Sequence, residues 1–350
     1  MRLEKIVPGH RPPADFDGAV LIRDLVVAGT RWPKGRRLTS ADLDAVAREV
    51  DGPPLTVLIP GPDDVHEDDA GLRLAAAIVG ADGAPGITLR GPAQSRVDLL
   101  AAVAGVVEIR IPALERINAV DPLEVFTVFD GQVVAPGDLV ASVKIGPHLV
   151  AEATLAAGER IARRGGPVVR VRAFRPVRIA VLVKERVTRD QRERFEASVR
   201  SKVTGVGATL TGITYVPDEP EPVAAALRAA ITGRGGARIV LTAGGASTDP
   251  ADAFYAAVET LGGRIVRHGV PSHPGSIVWL GRVGPASVVG LPSCGAFSKA
   301  TAADLLLPRL VAGQPPTAAT VARLGHGGIL TRSQRFRFPA YARDLDAPDG

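Results

Sequence analysis

Three short stretches in the second half of the chain concentrate glycine, hydroxyl and carboxylate groups. The first runs from Gly244 and Gly245 through Ser247, Thr248 and Asp249 to Asp252. It follows an apolar run of strand length, Ile239 to Leu241, and opens an alanine-rich segment with helical spacing. Paired glycines let backbone N–H groups approach a ligand, and a helix start favours negative charge, so this loop has the makings of a phosphate cradle. Asp249 and Asp252 admit two readings: caps of the following helix, the ordinary use of such carboxylates, or catalytic groups that share a hydrated Mg²⁺ with a ligand phosphate. The second stretch is Val270-Pro271-Ser272-His273-Pro274-Gly275-Ser276, between two short apolar runs, and the third is Gly290-Leu291-Pro292-Ser293-Cys294-Gly295, before a long helical segment. Cys294, placed beside a helix start, would have its thiolate favoured and could ligate a metal; the alternative is a small residue filling a tight turn.

The elements that must position these loops have a regular grammar from Val177 onward. Strands are expected at VRIAVLVK, ATLTGITYV, ARIVLTA, GRIVRHGV, SIVWLGRV and PASVVGLP, with helices at Arg189 to Val203, Glu221 to Thr232, Ala253 to Leu261 and Phe297 to Val311. Alternation of this kind predicts an α/β fold, a mostly parallel sheet with helices on both faces, built from right-handed crossovers. Ligands of such sheets bind beyond the carboxyl ends of the strands, so the first and third loops should share a pocket, with the second beside them.

The first half reads as an α+β domain over residues 1–175, of uncertain role. Ser40 looks like the N-cap of a helix ADLDAVAREV, Leu55 to Pro60 is a buried strand, and His66-Glu67-Asp68-Asp69 opens a helix whose acids complement the helix dipole. Metal ligation by that His and its acids is the other reading. Gln94 to Val107 suggests a helix followed by a strand, Gly131 to Pro147 a two-stranded antiparallel element around Pro136-Gly137-Asp138, and Glu152 to Ala162 a helix. The arginine-rich, Gly- and Pro-bounded passage after Ala162 places a boundary near Arg175. A second domain is expected over 176–313 and a tail over 314–350, with little apolar periodicity and fraying at the end.

With 350 residues and 46% apolar composition the chain can bury two cores without staples. Its single cysteine excludes an internal disulfide and suits a reducing compartment. No apolar run is long enough for a signal peptide or a bilayer span, so a cytoplasmic protein without membrane partners is expected. The net charge of +5 raises nucleic acid as a partner, but 42 basic residues are spread among 37 acids and aromatics make up only 4%. That pattern lacks both a basic stripe and a stacking platform, so no nucleic-acid partner is expected. There is no P-loop, Gly205-Val206-Gly207 lacks the rest of a dinucleotide fingerprint, and the six histidines are dispersed.

The three loops resemble those of the molybdenum-cofactor biosynthesis (MoaB/Mog-type) molybdopterin-binding domain family. Leu241 to Asp252 is similar to its T-T-G-G-T-S-x-G-x-x-D loop, Pro274-Gly275 to its P-G-K-P loop and Gly290-Leu291-Pro292 to the start of its G-L-P-G-N-P loop. The resemblance covers Val177 to Gly313. The amino-terminal half is less closely similar to that of stand-alone molybdopterin-binding proteins accompanying molybdenum hydroxylases. The resemblance implies that Gly244, Gly245, Ser247 and Thr248 line a pterin phosphate or nucleotide pocket with Pro274, Gly275, Ser276 and Gly290. It implies further that Pro292, Ser293 and Cys294 begin the facing wall, and that Asp252 holds the place of the family's functional aspartate. Three departures stand out: Thr248-Asp249 where the pattern has a small residue and Gly, Ser276 for the lysine, and Ser293-Cys294-Gly295 for Gly-Asn-Pro.

From this follow three expectations. One is a molybdopterin-binding protein in biosynthesis or handling of the molybdenum cofactor, acting by nucleotidyl transfer to the pterin phosphate, with Mg²⁺ and a nucleotide, or by metal insertion. The second is a non-catalytic molybdopterin carrier for molybdenum hydroxylases, and the third a nucleotide-processing hydrolase on the same fold. Molybdenum enzymes or other cofactor-biosynthesis proteins, and a second copy of the chain in a homo-oligomer, are the expected protein partners.

Overall fold

The computed structural model describes the chain except for residues 81–85, 185–187, 234, 246–248, 293–299 and 344–350. Two compact units are formed. One comprises Met1–Ala102, Glu108–Val128 and Pro136–Val171, and the other Val103–Val107, Phe129–Ala135 and Arg172–Gly350.

The second unit contains a six-stranded sheet: β1 Arg178–Val183, β2 Thr209–Tyr215, β3 Ile239–Ala243, β4 Arg264–Arg267, β5 Trp279–Val283 and β6 Ala286–Gly290. Their order in the sheet is β2-β1-β3-β6-β5-β4. Pairing is parallel from β2 through β6 and antiparallel for β5 against β6 and β4. Central strands are buried on both faces, and this is why they read as continuous apolar runs in the sequence. Alternate residues divide between two cores. Ile179, Val181, Leu241 and Val289 pack with helices α1 (Arg189–Thr204) and α4 (Ala302–Val311), whereas Leu182, Val240 and Val288 pack with α2 (Pro220–Thr232) and α3 (Ala253–Thr260). Among the described residues these helices cover the sheet two to a face, the α/β architecture expected from the alternation. The start anticipated for the last helix, Phe297, lies outside the described residues, and the described helix begins at Ala302 behind Thr301, whose capping box with Asp304 satisfies the first-turn donors.

The segment from Gln314 is more ordered than its weak periodicity suggests. Val321, Leu324, Leu330, Phe338 and Ala342 join the core beside α1 and α4. Scattered single anchors hold it, and no regular stripe is needed.

In the first unit a four-stranded antiparallel sheet runs in the order Leu123–Thr127, Leu139–Ile145, Arg96–Ala101, Ile87–Ala93. Two sequence expectations fail in the amino-terminal half of the chain. Arg96–Ala101 is a strand and not a helix, because Val97, Leu99 and Ala101 are buried while the backbone is paired on both sides. Gly131 to Pro147 is not one hairpin: Val133–Val134 pairs with Gly105 and Val106, whereas Leu139–Ile145 pairs with Leu123–Thr127 and Arg96–Leu100. The first helix is Ser40–Glu49, capped by Thr39 and not Ser40, since the Thr39 hydroxyl is the one that reaches the Asp42 N–H. His66 likewise caps Glu67–Val79, its ring accepting from Asp68 N at 3.2 Å.

Candidate functional site

Backbone register brings the three loops to one edge of the six-stranded sheet. Thr242 lies beside Gly290 in the parallel pairing of β3 and β6, and Trp279, the first residue of antiparallel β5, lies opposite Gly290. The first and third loops therefore leave the edge where the second enters it. Leu291 N donates to Thr242 O at 2.8 Å, and Lys184, following β1, donates its N–H to Ala243 O at 3.1 Å. Ser247, Thr248, Ser293 and Cys294 lie outside the described residues.

Each described loop residue has a definite surrounding. Gly244 has φ +90°, a conformation that favours glycine. At Gly245 a Cβ would stand 3.0 Å from Asp252 Oδ2 and 3.1 Å from the Phe254 ring, so the backbone there lies directly over the aspartate. Asp249 is exposed and caps the turn locally, its Oδ1 accepting from Ala251 N at 2.9 Å. Asp252 is only 4% exposed and is the N-cap of α3, its Oδ1 accepting from Phe254 N at 2.8 Å.

In the second loop, Pro274 and Gly275 are buried and Ser276 is exposed. Pro274 O accepts from Ala302 N at 3.0 Å, and a Cβ on Gly275 would meet that same nitrogen at 2.7 Å. The loop is therefore seated on the first turn of α4. Its other side is held by the carboxyl-terminal segment: His273 N donates to Gly328 O and Leu330 N to His273 O, each at 2.7 Å. The start of α4 is itself anchored by a buried ion pair, Lys202 Nζ to Asp304 Oδ1 at 2.6 Å, while Asp304 Oδ2 accepts from Thr301 N at 2.9 Å. In the third loop Gly290 and Pro292 are buried, and Gly290 lies directly under the Trp279 indole.

Two polar residues of this edge escaped the sequence reading. Lys184, 9% exposed, directs Nζ at Asp252 Oδ2 (3.0 Å) and at Asp218 Oδ1 (2.7 Å). Burial, the strongest influence on this ammonium, pulls its pKa down, but the hydrogen bonds and charges of Asp218 and Asp252 together prevail and hold it above the usual lysine value. Both residues follow strand ends of the same edge, β1 for Lys184 and β2 for Asp218, so the rule that located the glycine loop would have found them had it been applied to every parallel strand. Tyr255 and Trp279 pack beside Asp252, ring centroids 5.1 Å apart and edge-on. Burial foremost, then the carboxylates of Asp252 and Asp249, pushes the Tyr255 phenol up to about 12.

The metal expectation can be held against these contacts. Asp252 Oδ1 accepts from Phe254 N and Oδ2 meets Lys184, while Asp249 caps its own turn. Among the described residues no group of three His, Cys, Asp or Glu side chains is arranged to hold a metal ion. No helix among them is long and apolar enough to cross a membrane.

The fold and edge together define a doubly wound α/β domain with a glycine turn, Gly244-Gly245, at the carboxyl end of β3. Residues 178–312 match the family model described as a probable molybdopterin binding domain. A search of curated proteins gives no match. Among solved structures, the chain is similar to a molybdenum cofactor biosynthesis protein B (17% identity, 44% of this chain and 99% of that one, TM-score 0.30). It is also similar to a molybdopterin biosynthesis enzyme MoaB from Thermus (21%, 40% and 98%, TM-score 0.29). A third is a molybdopterin biosynthesis MoeA protein from Pyrococcus (14%, 73% and 76%, TM-score 0.30).

Proposed function

We propose that this protein binds molybdopterin at the carboxyl edge of the six-stranded sheet and acts in maturation or handling of the molybdenum cofactor. The observation that carries this reading is the convergence of Gly244-Gly245, Pro274-Gly275 and Gly290-Leu291-Pro292 on one edge, within a segment of the molybdopterin-binding family. In this reading the backbone at Gly244 and Gly245 receives the pterin phosphate, where a phosphate suits both the glycine turn and the nearby start of α3. Asp252 holds the loop by capping α3 beneath it.

Nucleotidyl transfer is the narrower form of the same reading. It asks Asp252, with Asp249, to exchange Lys184 for Mg²⁺ and to offset charge on the transferring group, whose chemistry is positioning and electrostatics. The engaged state of Asp252 favours binding and delivery over transfer.

The test is mass spectrometry of the small molecule that co-purifies from a molybdenum-replete, cofactor-producing host, with Gly245→Asp as the blocked control. A pterin present in the parent and lost from the variant supports the reading. Two empty preparations that also fail to take up added molybdopterin overturn it. Turnover of ATP or CTP by the parent, abolished in Asp252→Asn, would establish the transfer form, and pterin binding without nucleotide consumption the carrier form.

A further inference from the structure

We propose that Lys184 is the cation that contacts the ligand phosphate in this site, taking over from a different strand the charge that Ser276 does not provide. This rests on the pterin reading for the identity of the ligand, and on separate geometry for the role of the lysine.

A lysine ammonium has three N–H donors. Two of those on Lys184 are taken, by Asp218 at 2.7 Å and Asp252 at 3.0 Å. Its side chain is only 5% exposed, so the ammonium sits inside the edge with a third N–H that these two carboxylates do not use. Its place is defined by Asp252 Oδ2, the same atom that a Cβ on Gly245 would approach to 3.0 Å. The ammonium and the glycine backbone therefore bracket one carboxylate oxygen, and a group held by the Gly244-Gly245 turn comes within reach of Nζ.

The charges fit that use. Asp252, 3% exposed at its side chain, neutralises Lys184 in the ligand-free site and fixes its direction, while Asp218, 59% exposed, is screened by water. A dianionic phosphate then meets a preset donor and does not have to order a free lysine. A cation–π contact with Phe254, 5.5 Å from Nζ to the ring centroid, further limits the side chain. The second loop, where the family pattern has lysine, presents Ser276 at an exposed position with a hydroxyl only.

The experiment titrates the full chain with a stable oxidised pterin bearing the phosphate, with its dephosphorylated counterpart, and with AMP as a phosphate probe that is not a pterin. Parent, Lys184→Met and Lys184→Arg are compared. Because Lys184→Met strands Asp252, the charge-neutral pair Lys184→Met with Asp252→Asn is included, and circular dichroism certifies that each variant folds. Removal of one charge-assisted hydrogen bond should weaken the phosphorylated pterin by about tenfold or more in Lys184→Met and in the pair. The dephosphorylated pterin should bind as it does to the parent, and Lys184→Arg should recover part of the loss. Equal weakening of both pterins, or no weakening of either, overturns the role of Lys184. Lys184-dependent binding of AMP with no binding of either pterin keeps the lysine and sinks the pterin reading. Failure of the parent to bind any phosphate-bearing probe overturns both.

Discussion

Gly290→Ala tests whether the third loop is held in place by what lies under it. A Cβ at Gly290 would stand 1.9 Å from Trp279 Nε1, 2.1 Å from Cδ1 and 2.6 Å from Cε2. The indole must withdraw by roughly 1.5 Å to reach an ordinary contact distance. It has little room, being 1% exposed and flanked by Phe254 and Tyr255 at centroid distances of 6.3 and 5.1 Å. Overpacking of this kind costs about 1–3 kcal/mol, and a rigid indole wedged between sheet and helix belongs near the top of that range. For a domain of this size each kcal/mol lowers the melting temperature by about 2–4 °C, so a fall of roughly 5–10 °C is expected. The chain has two tryptophans, Trp32 and Trp279. In a Trp32→Phe background, emission reports Trp279 alone and should shift to the red. Adding Trp279→Leu removes the clashing ring, so the double variant should lose less stability than the two single losses summed, the signature of direct coupling. A Gly290→Ala protein that melts with the parent and emits at the same wavelength would refute the packing argument.

Other outcomes follow from the same contacts. Lys202→Met leaves Asp304, 1% exposed, as an unpaired buried charge and should cost about 3–5 kcal/mol by denaturant melting, with part of the loss recovered when Asp304→Asn is added. Gly245→Asp brings a second carboxylate against Asp252 Oδ2 and should abolish uptake of any phosphate-bearing ligand, measured by calorimetry, while Gly245→Ala should only weaken it. An unfolded tyrosine loses its proton near pH 10, whereas folded Tyr255 holds its own to about 12, so the folded state carries the extra proton between those values. Stability from Tyr255 is therefore intact below pH 10 and declines as pH rises from 10 to 12, and Tyr255→Phe should flatten that part of the melting-temperature profile.

The doubly wound sheet was legible because its central strands are buried on both faces and appear as unbroken apolar runs between helical segments. The described parts of the first and third loops stood out for the same reason, since each directly follows such a run. The antiparallel sheet of the first unit was less so: Leu99-Leu100-Ala101-Ala102 suits a helix as well as a strand over that distance, and only pairing with Leu139–Ile145 and Ile87–Ala93 decides it. Lys184 carries no local signature. Its meaning comes from Asp252, which reaches it only after the chain has passed through β2, α2 and β3.

These non-local contacts also explain how the three loop motifs can depart from the family pattern and still be held together. The second loop is fixed by Ala302 N on one side and by Gly328 and Leu330 on the other, all of them backbone contacts indifferent to the side chain at Ser276. The third loop is fixed by Leu291 N on Thr242 O and by the space that Gly290 leaves for Trp279. At the second loop a serine in place of a lysine leaves that backbone frame unchanged. In the proposed site the charge comes from a residue whose own position is set by something other than those loops. Lys184 meets that condition, because its backbone is bonded to Ala243 and its ammonium is aimed by Asp252. What such a frame preserves is the shape of the sheet edge, and what it leaves free to change is the set of side chains presented there.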